Sequence, residues 1–476
     1  MKINESRTKI IATIGPASQD KEVLRKMFYA GVDVCRLNFS HGSHAEVAKI
    51  IKTIRELNKD LGLDIAILAD LQGPKLRIGE VENNKIILKA GETIEFVTEK
   101  CMGTAQKLYM SYEEFPKDVE IGDTILINDG NLKLEVIDTN KINSVKAKII
   151  YGGELSSRKG VNLPRTNVSL PSLTDKDIED AHFAIEQEVD WIALSFVRQN
   201  SDVIELKQMI KRKKKNINVI AKIEKPQAIK NIDSIIAESD AIMVARGDLG
   251  VELDFHEIPV LQKEIVRKCM DASTPVIIAT QMMESMITNF RPTRAEATDV
   301  ANAVIDGVDT LMLSGETSVG KYPIETIESM HEIIQYTEDN SYKYNRGKSP
   351  EIDSPRFIRD SVCYSASRMA EKIGAKAIIT FTENGNTAFT ISGYRPKADI
   401  YAFTKHKNLM SMLTLLWGVK SFYFDDFENI NKSITLSINI LKKKGYIKKG
   451  DYIIHVASTP LQVTHKTNML KVTKVE

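Results

Sequence analysis

The hexapeptide Val219-Ile-Ala-Lys-Ile-Glu224, closely followed by Pro226, decides the fold. It reads as a short buried strand ending in two charges, and the proline beyond it suits the first turn of a helix. Side chains alternate along a strand, so Lys222 and Glu224 share one face while Ile223 points away. A strand this apolar is covered on both sides, which makes a lysine and a carboxylate at its tip costly unless they are paired or used. On its own the hexapeptide fits a structural ion pair as well as a working site.

The pattern recurs. Lys9–Ile14, Val32–Phe39, Ile65–Asp70, Trp191–Val197, Val219–Glu224, Ala241–Asp248, Val276–Gln281 and Thr310–Glu316 are β-branched runs that end in polar residues and lead into helical patterns. Strands alternating with amphipathic segments predict βαβ units, and eight of them predict a closed TIM (β/α)8 barrel. A doubly wound open sheet is disfavoured because no GxGxxG follows an early strand. Between the third and fourth strands the texture changes. Lys85–Leu88, Thr93–Val97, Thr124–Asn128, Leu132–Ile137 and Val145–Ile150 are short strand-like runs, punctuated by Gly91, Asp129-Gly130 and Gly152-Gly153. They predict a small antiparallel β domain inserted in a βα loop. Such loops leave the C-terminal rim of a barrel, where barrel active sites gather, so the insert could act as a lid. A polar stretch, Glu338–Pro355, is suited to a linker. Beyond it, a helix at Arg356–Ile373 and strands at Ala377–Phe381, Ile400–Phe403, Phe422–Phe424 and Tyr452–Val456 predict a separate α/β domain. The expected division is 1–70 with 170–345 for the barrel, 71–169 for the lid, and 355–476 for an effector or oligomerisation domain.

Composition bounds the rest. At 476 residues the chain is too long for one ordinary core. A net charge of +1 argues against a surface devoted to nucleic acid, and no apolar run is long enough to span a bilayer. Cys35, Cys101, Cys269 and Cys363 are scattered without a CxxC, which suits a reducing compartment. The opening MKINESRTKIIATIG lacks the apolar core of a secretory signal and the Arg/Ser richness of a transit peptide. The expectation is a soluble, cytoplasmic chain. The basic runs Lys211–Lys215 and Lys442–Lys444 read as solvated faces or helix C-terminal charges.

If the eight runs are barrel strands, their ends share one rim. In order these ends supply Arg36, Asn38, Ser40 and His41; Asp70, Lys75 and Arg77; Ser195; Lys222 and Glu224; Gly247 and Asp248; Thr280; and Ser314 with Glu316. Glu224 and Asp248 end consecutive strands and are the best-placed carboxylate pair for a hard divalent ion, Mg2+ or Mn2+. Arg36, Arg77 and Lys222 add cations suited to phosphoryl oxygens, and Gly247 permits close backbone approach to an anion. The rim reads as a phosphoryl-transfer site. Met282, Met283 and Met286 read as packing.

Along essentially its whole length the chain resembles the pyruvate kinase family. The motifs that carry this are Thr13-Ile-Gly-Pro-Ala-Ser18, Arg36-Leu-Asn-Phe-Ser-His-Gly42, Lys159-Gly-Val-Asn-Leu-Pro164 and Ala221-Lys-Ile-Glu224, then Met243-Val-Ala-Arg-Gly-Asp-Leu-Gly250, Ala279-Thr-Gln-Met-Met-Glu-Ser-Met286, Arg291-Pro-Thr-Arg-Ala-Glu296 and Leu311-Met-Leu-Ser-Gly-Glu-Thr317. The resemblance implies glycolytic transfer of a phosphoryl group from phosphoenolpyruvate to ADP, giving pyruvate and ATP, in a homotetramer. It implies metal at Glu224 and Asp248, and charge stabilisation by Lys222 and Arg36. Gly247 and Asp248 amides would take the substrate carboxylate, with Ser195 beside them, and Thr280 would assist enolate protonation. Asn38, Phe39, Ser40, His41, Arg77 and Lys159 would face the nucleotide. Glu316 would hold the rim together.

One departure stands out. Many family members bind potassium at positions matching Asn38, Ser40, Asp70 and Leu71, and carry Thr-Lys after the aspartate and Glu after Gly-Pro. This chain has Leu71 without a hydroxyl and Lys75 in place of that Glu, the pattern of the potassium-independent branch. A fixed ammonium can supply the ion's charge and repels a second cation by about 4 kcal/mol at 4 Å and effective dielectric 20. Potassium is therefore expected to be dispensable. The family's sugar-phosphate effector loop corresponds to Thr382, Glu383, Asn384, Gly385, Asn386 and Thr387, which could cradle a phosphate. Asn386 replaces a frequent Arg, and Ala457–His465 replaces a glycine-rich closing loop, which leaves a sugar phosphate, a nucleotide or no effector open. Two other readings compete: a metal-dependent barrel lyase or aldolase acting on pyruvate enolate, and a silent effector-binding paralogue. The first has no need of Arg77, Lys159 or a lid. The second should have lost Lys222, Glu224, Asp248 or Thr280.

Overall fold

A computed structural model describes residues 3–40, 42–164, 166, 168–427, 429–459, 461 and 467–476. Eight parallel strands close a barrel: Lys9–Ile14, Val34–Asn38, Ala66–Asp70, Trp191–Leu194, Asn218–Ile223, Ala241–Ala245, Val276–Ala279 and Thr310–Leu313. Each neighbours its predecessor, and the first pairs with the last, Lys9 opposite Thr310. Several strands end earlier than their apolar runs predict. The residues after Ala245 and Leu313 turn at once into short helices, Arg246–Glu252 and Gly315–Ser318, which place Asp248 and Glu316 in first turns. Pro226 opens the helix Pro226–Lys230, where its missing N–H costs nothing.

The insert is mainly antiparallel. Its six-stranded sheet runs Val161–Asn162, Thr124–Ile127, Leu132–Thr139, Ser144–Tyr151, Thr93–Val97, Lys107–Tyr109, with a separate pair, Lys85–Leu88 and Gly153–Ser156. Three of these strands have no counterpart in the sequence reading, and Lys107–Tyr109 pairs parallel with Thr93–Val97, so the sheet is not purely antiparallel. Strands of two to four residues between turns carry too little alternation to register. The insert has its own core, with Phe96 edge-on to Phe115.

The C-terminal sheet runs Val419–Tyr423, Asp399–Thr404, Ala377–Phe381, Tyr452–Ser458, Thr467–Lys474, and its last strand is antiparallel. That strand was unforeseen because its exposed Asn468, Lys471 and Lys474 mask the pattern. The segment 338–355 is also more than a linker. Helix Pro323–Asn340 runs into it, and Tyr342 stacks on the buried Trp417 with centroids 5.4 Å apart. Beside them Arg395 and Asp309, both buried, pair at 2.7 Å between the C-terminal domain and the barrel base. No helix among the described residues is long and apolar enough to cross a membrane.

His455 lies fully buried in the C-terminal sheet, and neither ring nitrogen has a hydrogen-bond partner among the described residues. Burial, with Lys471 adding repulsion, pushes its pKa down to about 4. As pH falls, the unfolded chain therefore binds a proton first. The stability this residue contributes is complete above about pH 6.5 and is lost toward pH 4, with a slope of about 1.4 kcal/mol per pH unit. His455→Met should flatten that slope in urea unfolding of the C-terminal domain. An unaltered profile would count against the assignment.

Candidate active site

Asp70 closes the third barrel strand and is 1% exposed. A carboxylate so buried needs partners, and it has two cations. Arg36 Nε donates to Oδ2 at 2.6 Å, and Lys222 Nζ stands 3.2 Å from Oδ1. Arg36 is fixed again by Nη1 donating to Thr13 Oγ1 at 2.8 Å, and the Thr13 hydroxyl donates to Leu313 O. Lys222 lies 3.0 Å from Glu224 Oε1 and donates to Ser195 Oγ at 2.7 Å. Ser195 Oγ donates to Leu71 O at 2.7 Å, which leaves its lone pairs directed at Lys222. Glu224 accepts the Phe196 N–H at Oε2, 2.7 Å away.

Electrostatics follow from this cage. Burial alone would lower the Lys222 pKa, but Asp70 and Glu224 outweigh it and hold the ammonium charged, well above its ordinary value. Burial pushes the Asp70 carboxyl up, yet Lys222 and then Arg36 pull it below the usual range. Glu224 is the opposite case. Burial raises its pKa, Lys222 lowers it, and the negative charge of Asp248 raises it again, with a net rise. A buried carboxylate destabilised by a second one at the mouth of a cation cage fits a divalent metal. Among the described residues no third His, Cys, Asp or Glu joins them. Water and substrate oxygens would complete the shell, as magnesium prefers.

Thr280 follows the seventh strand with φ 71°, a costly backbone for a β-branched residue. Its Oγ1 donates to Ala279 O and accepts the Gly247 N–H at 2.7 Å. The Gly247 amide is therefore engaged by Thr280 in this state. Arg246, unflagged by the sequence, holds the turn: Nη2 donates to Thr280 O at 2.8 Å while Nη1 pairs with Asp299 at 2.7 Å. Glu316, 2% exposed, accepts the N–H groups of Met283 and Ser314, and Met282, Met283 and Met286 are wholly buried.

A cleft of 640 Å³ opens beside Gly247, Asp248 and Gln281, and Asp129 of the insert forms part of its wall. Toward the insert, Arg77 Nη1 donates to Arg158 O at 3.1 Å, and the backbones of Arg77 and Gly160 bridge. Lys159 lies on that return segment, half-buried, its carbonyl accepting the Ile78 N–H. Lys75 is exposed, its Cε 4.0 Å from where a Gly160 Cβ would stand, while Leu71 is 1% exposed. Asn38 Oδ1 accepts the Ser40 N–H at 3.1 Å, and Phe39 N donates to Asp70 O. His41 lies outside the described residues.

The rim thus gathers Arg36, Asp70, Ser195, Lys222 and Glu224 in one hydrogen-bonded cage, with Asp248 acting electrostatically on it. The loop 382–387 is remote from this network, in the C-terminal domain. Thr382 Oγ1 accepts the Gly385 N–H, Thr387 Oγ1 bonds Thr467 Oγ1 at 2.8 Å, and Glu383 pairs with Lys405 at 2.6 Å. The Asn386 N–H is taken by Asn384 Oδ1. The Thr382 hydroxyl thus accepts within the loop, while Thr387 ties the loop to the last strand. Of the closing loop Ala457–His465, residue 460 and residues 462–465 lie outside the described residues.

Sequence reasoning missed Thr13 and Arg246. Thr13, an inward polar residue on an otherwise apolar first strand, carried a signal; Arg246, inside a run already assigned to Gly247 and Asp248, carried none.

Barrel, cation cage and carboxylate pair together define a barrel phosphotransferase. Residues 5–327 match the family model for the pyruvate kinase barrel domain and residues 360–473 that for the pyruvate kinase alpha/beta domain. The chain is 40% identical over 469 residues to a pyruvate kinase of Mycobacterium intracellulare, covering 98% of each. It is 42% identical over 470 residues to one of Bacillus licheniformis, covering 98% of this chain and 80% of that one. A crystal structure of a pyruvate kinase from Cryptosporidium parvum aligns with TM-score 0.93 at 37% identity, over 98% of this chain and 96% of that one. The chain belongs to the pyruvate kinase family.

Proposed function

We propose that this enzyme transfers the phosphoryl group of phosphoenolpyruvate to ADP, and that the cage around Lys222 is where the transfer occurs. The carrying observation is an ammonium kept charged among Asp70, Glu224 and Ser195, beside the carboxylate pair Glu224 and Asp248. In the transfer, the phosphoenolpyruvate P–O bond breaks as a terminal oxygen of ADP bonds to phosphorus, and the enolate then takes a proton at carbon. Arg36 and Lys222 oppose the charge spread over the phosphoryl oxygens and the enolate, by preorganised electrostatics rather than covalent catalysis. Thr280 orients the group that delivers the proton; its own pKa forbids it from being the acid. Glu224 and Asp248 would hold a magnesium or manganese ion, which when bound neutralises substrate oxygens. Arg77 and Lys159 flank the nucleotide from the lid side. A lactate-dehydrogenase-coupled assay with phosphoenolpyruvate and ADP tests the reading, and absence of ADP-dependent pyruvate formation would overturn it.

The reading extends to monovalent ions. Both Asp70 oxygens face cations already, and Leu71 offers no hydroxyl, so little remains to coordinate potassium. Lys75 supplies the charge instead. Activity should persist in sodium- or tetramethylammonium-only buffer. Lys75→Glu should cost about tenfold or more in kcat there and regain activity with potassium. Strict potassium activation of the unaltered enzyme would sink this idea. An effector phosphate at 382–387 would have to displace contacts within the loop, since the Gly385 and Asn386 amides are engaged by Thr382 and Asn384. Assembly as a homotetramer is the corresponding quaternary proposal, consistent with the exposed Phe255 and Val260, and light scattering reads it directly.

A further inference from the structure

Helix Asp175–Glu186 begins where the chain returns from the insert, behind a capping box formed by Thr174 and Asp177. Its first two turns reach both loops beside the proposed nucleotide face. The buried Asp177 accepts the Gly73 N–H at 2.9 Å, from the loop after the third strand. Lys176 Nζ donates to Phe39 O at 2.9 Å, in the loop after the second strand.

That ammonium is braced from behind. Asp180, 3% exposed, accepts from Lys176 at 2.5 Å through Oδ2 and from His44 Nε2 at 2.7 Å through Oδ1. The His44 ring lies flat on Phe183, centroids 4.2 Å apart and planes 5° from parallel, and the Phe39 ring packs against Phe183 at 6.0 Å. Phe39 is therefore held three ways. Its amide goes to Asp70 O, its ring to Phe183, and its carbonyl to Lys176. The flanking residues are Asn38 and Ser40, whose relative orientation is set by the turn between Asn38 Oδ1 and the Ser40 amide.

Packing alone does not demand a lysine here, because the Lys176 side chain is half exposed. Its chemistry does. A backbone carbonyl that has left the sheet ladder needs a donor, and a charged donor held by a buried carboxylate is short, strong and directional. We propose that Lys176 is a positioning residue for the nucleotide substrate. By fixing the Phe39 carbonyl it presents Asn38 and Ser40 to ADP, while acting through the loop rather than on the substrate. The proposal rests on the reading that this loop faces the nucleotide.

Steady-state kinetics of the full chain test it. Lys176→Met should raise KM for ADP about tenfold, with KM for phosphoenolpyruvate and kcat changing by less than about threefold. Lys176→Arg, which keeps a charged donor, should recover most of the loss, and the melting temperature should stay level across the three proteins. Asn38→Ala, assayed alongside, separates the two layers of inference. If Asn38→Ala raises KM for ADP and Lys176→Met does not, the positioning role is overturned while the loop reading stands. If neither moves it, both fall. Parallel losses for both substrates with a lowered melting temperature would reduce Lys176 to a structural residue and also overturn the proposal.

Discussion

Lys222→Met should lower kcat by about three orders of magnitude or more, equivalent to about 4 kcal/mol of transition-state stabilisation. Among the described residues the cage has no spare cation positioned as Lys222 is, since Arg36 is committed to Asp70 and Thr13. Folding should survive, because Asp70 keeps Arg36 and Glu224 keeps the Phe196 amide. The variant also has a distinctive signature at the metal. Removing an ammonium 3.0 Å from Glu224 makes the carboxylate pair more negative, so Mn2+ binding should tighten while turnover collapses. Calorimetric Mn2+ titration beside the kinetics reads both. Weakened metal binding would show that Lys222 organises the carboxylates rather than opposing substrate charge.

Glu224→Gln should shift the Mg2+ concentration for half-maximal activity upward by about a hundredfold and cut kcat by at least a similar factor. The amide oxygen can still accept the Phe196 N–H, so the loop keeps its shape and the charge alone is lost. Asp248→Asn should move the metal requirement in the same direction, since the Asp248 charge acts on Glu224. In both variants, added Mg2+ should raise the melting temperature less than in the unaltered enzyme. An unchanged Mg2+ profile in both would remove Glu224 and Asp248 from the metal seat.

The fold was legible because buried parallel strands advertise themselves as apolar runs that stop at charges. Val219–Glu224 did so, as did the runs ending at Asp70 and Asp248. Rim membership followed from those endings, and with it Arg36, Lys222, Glu224 and Thr280. The pairings did not follow. Nothing local says that Arg36 and Lys222 share Asp70, because that depends on how far each side chain reaches across the barrel mouth. Ser195 was read as a polar strand ending beside the substrate carboxylate, and in the structure its hydroxyl accepts from Lys222. Elements too short or too polar to show a period, such as Val161–Asn162 and Thr467–Lys474, stayed hidden, and Tyr342 looked like linker because its partner, Trp417, lies far away in sequence.

The insert leaves the barrel after Asp70 and returns before Trp191, and the two strands it separates are direct neighbours, with Ala193 opposite Asp70. About 120 residues therefore intervene between partners that other barrel neighbours join across far fewer. The entropic penalty for closing the longer loop grows only with the logarithm of its length, about 1 kcal/mol over an ordinary βα connection. Because the insert has a core of its own, it can collapse independently and shorten the effective loop before the barrel seals. The junction between Asp70 and Trp191 is thus the latest seam the polypeptide has reason to close. Destabilising the insert's core, for example at Phe96 or Phe115, should retard barrel closure during refolding more than it weakens the finished barrel.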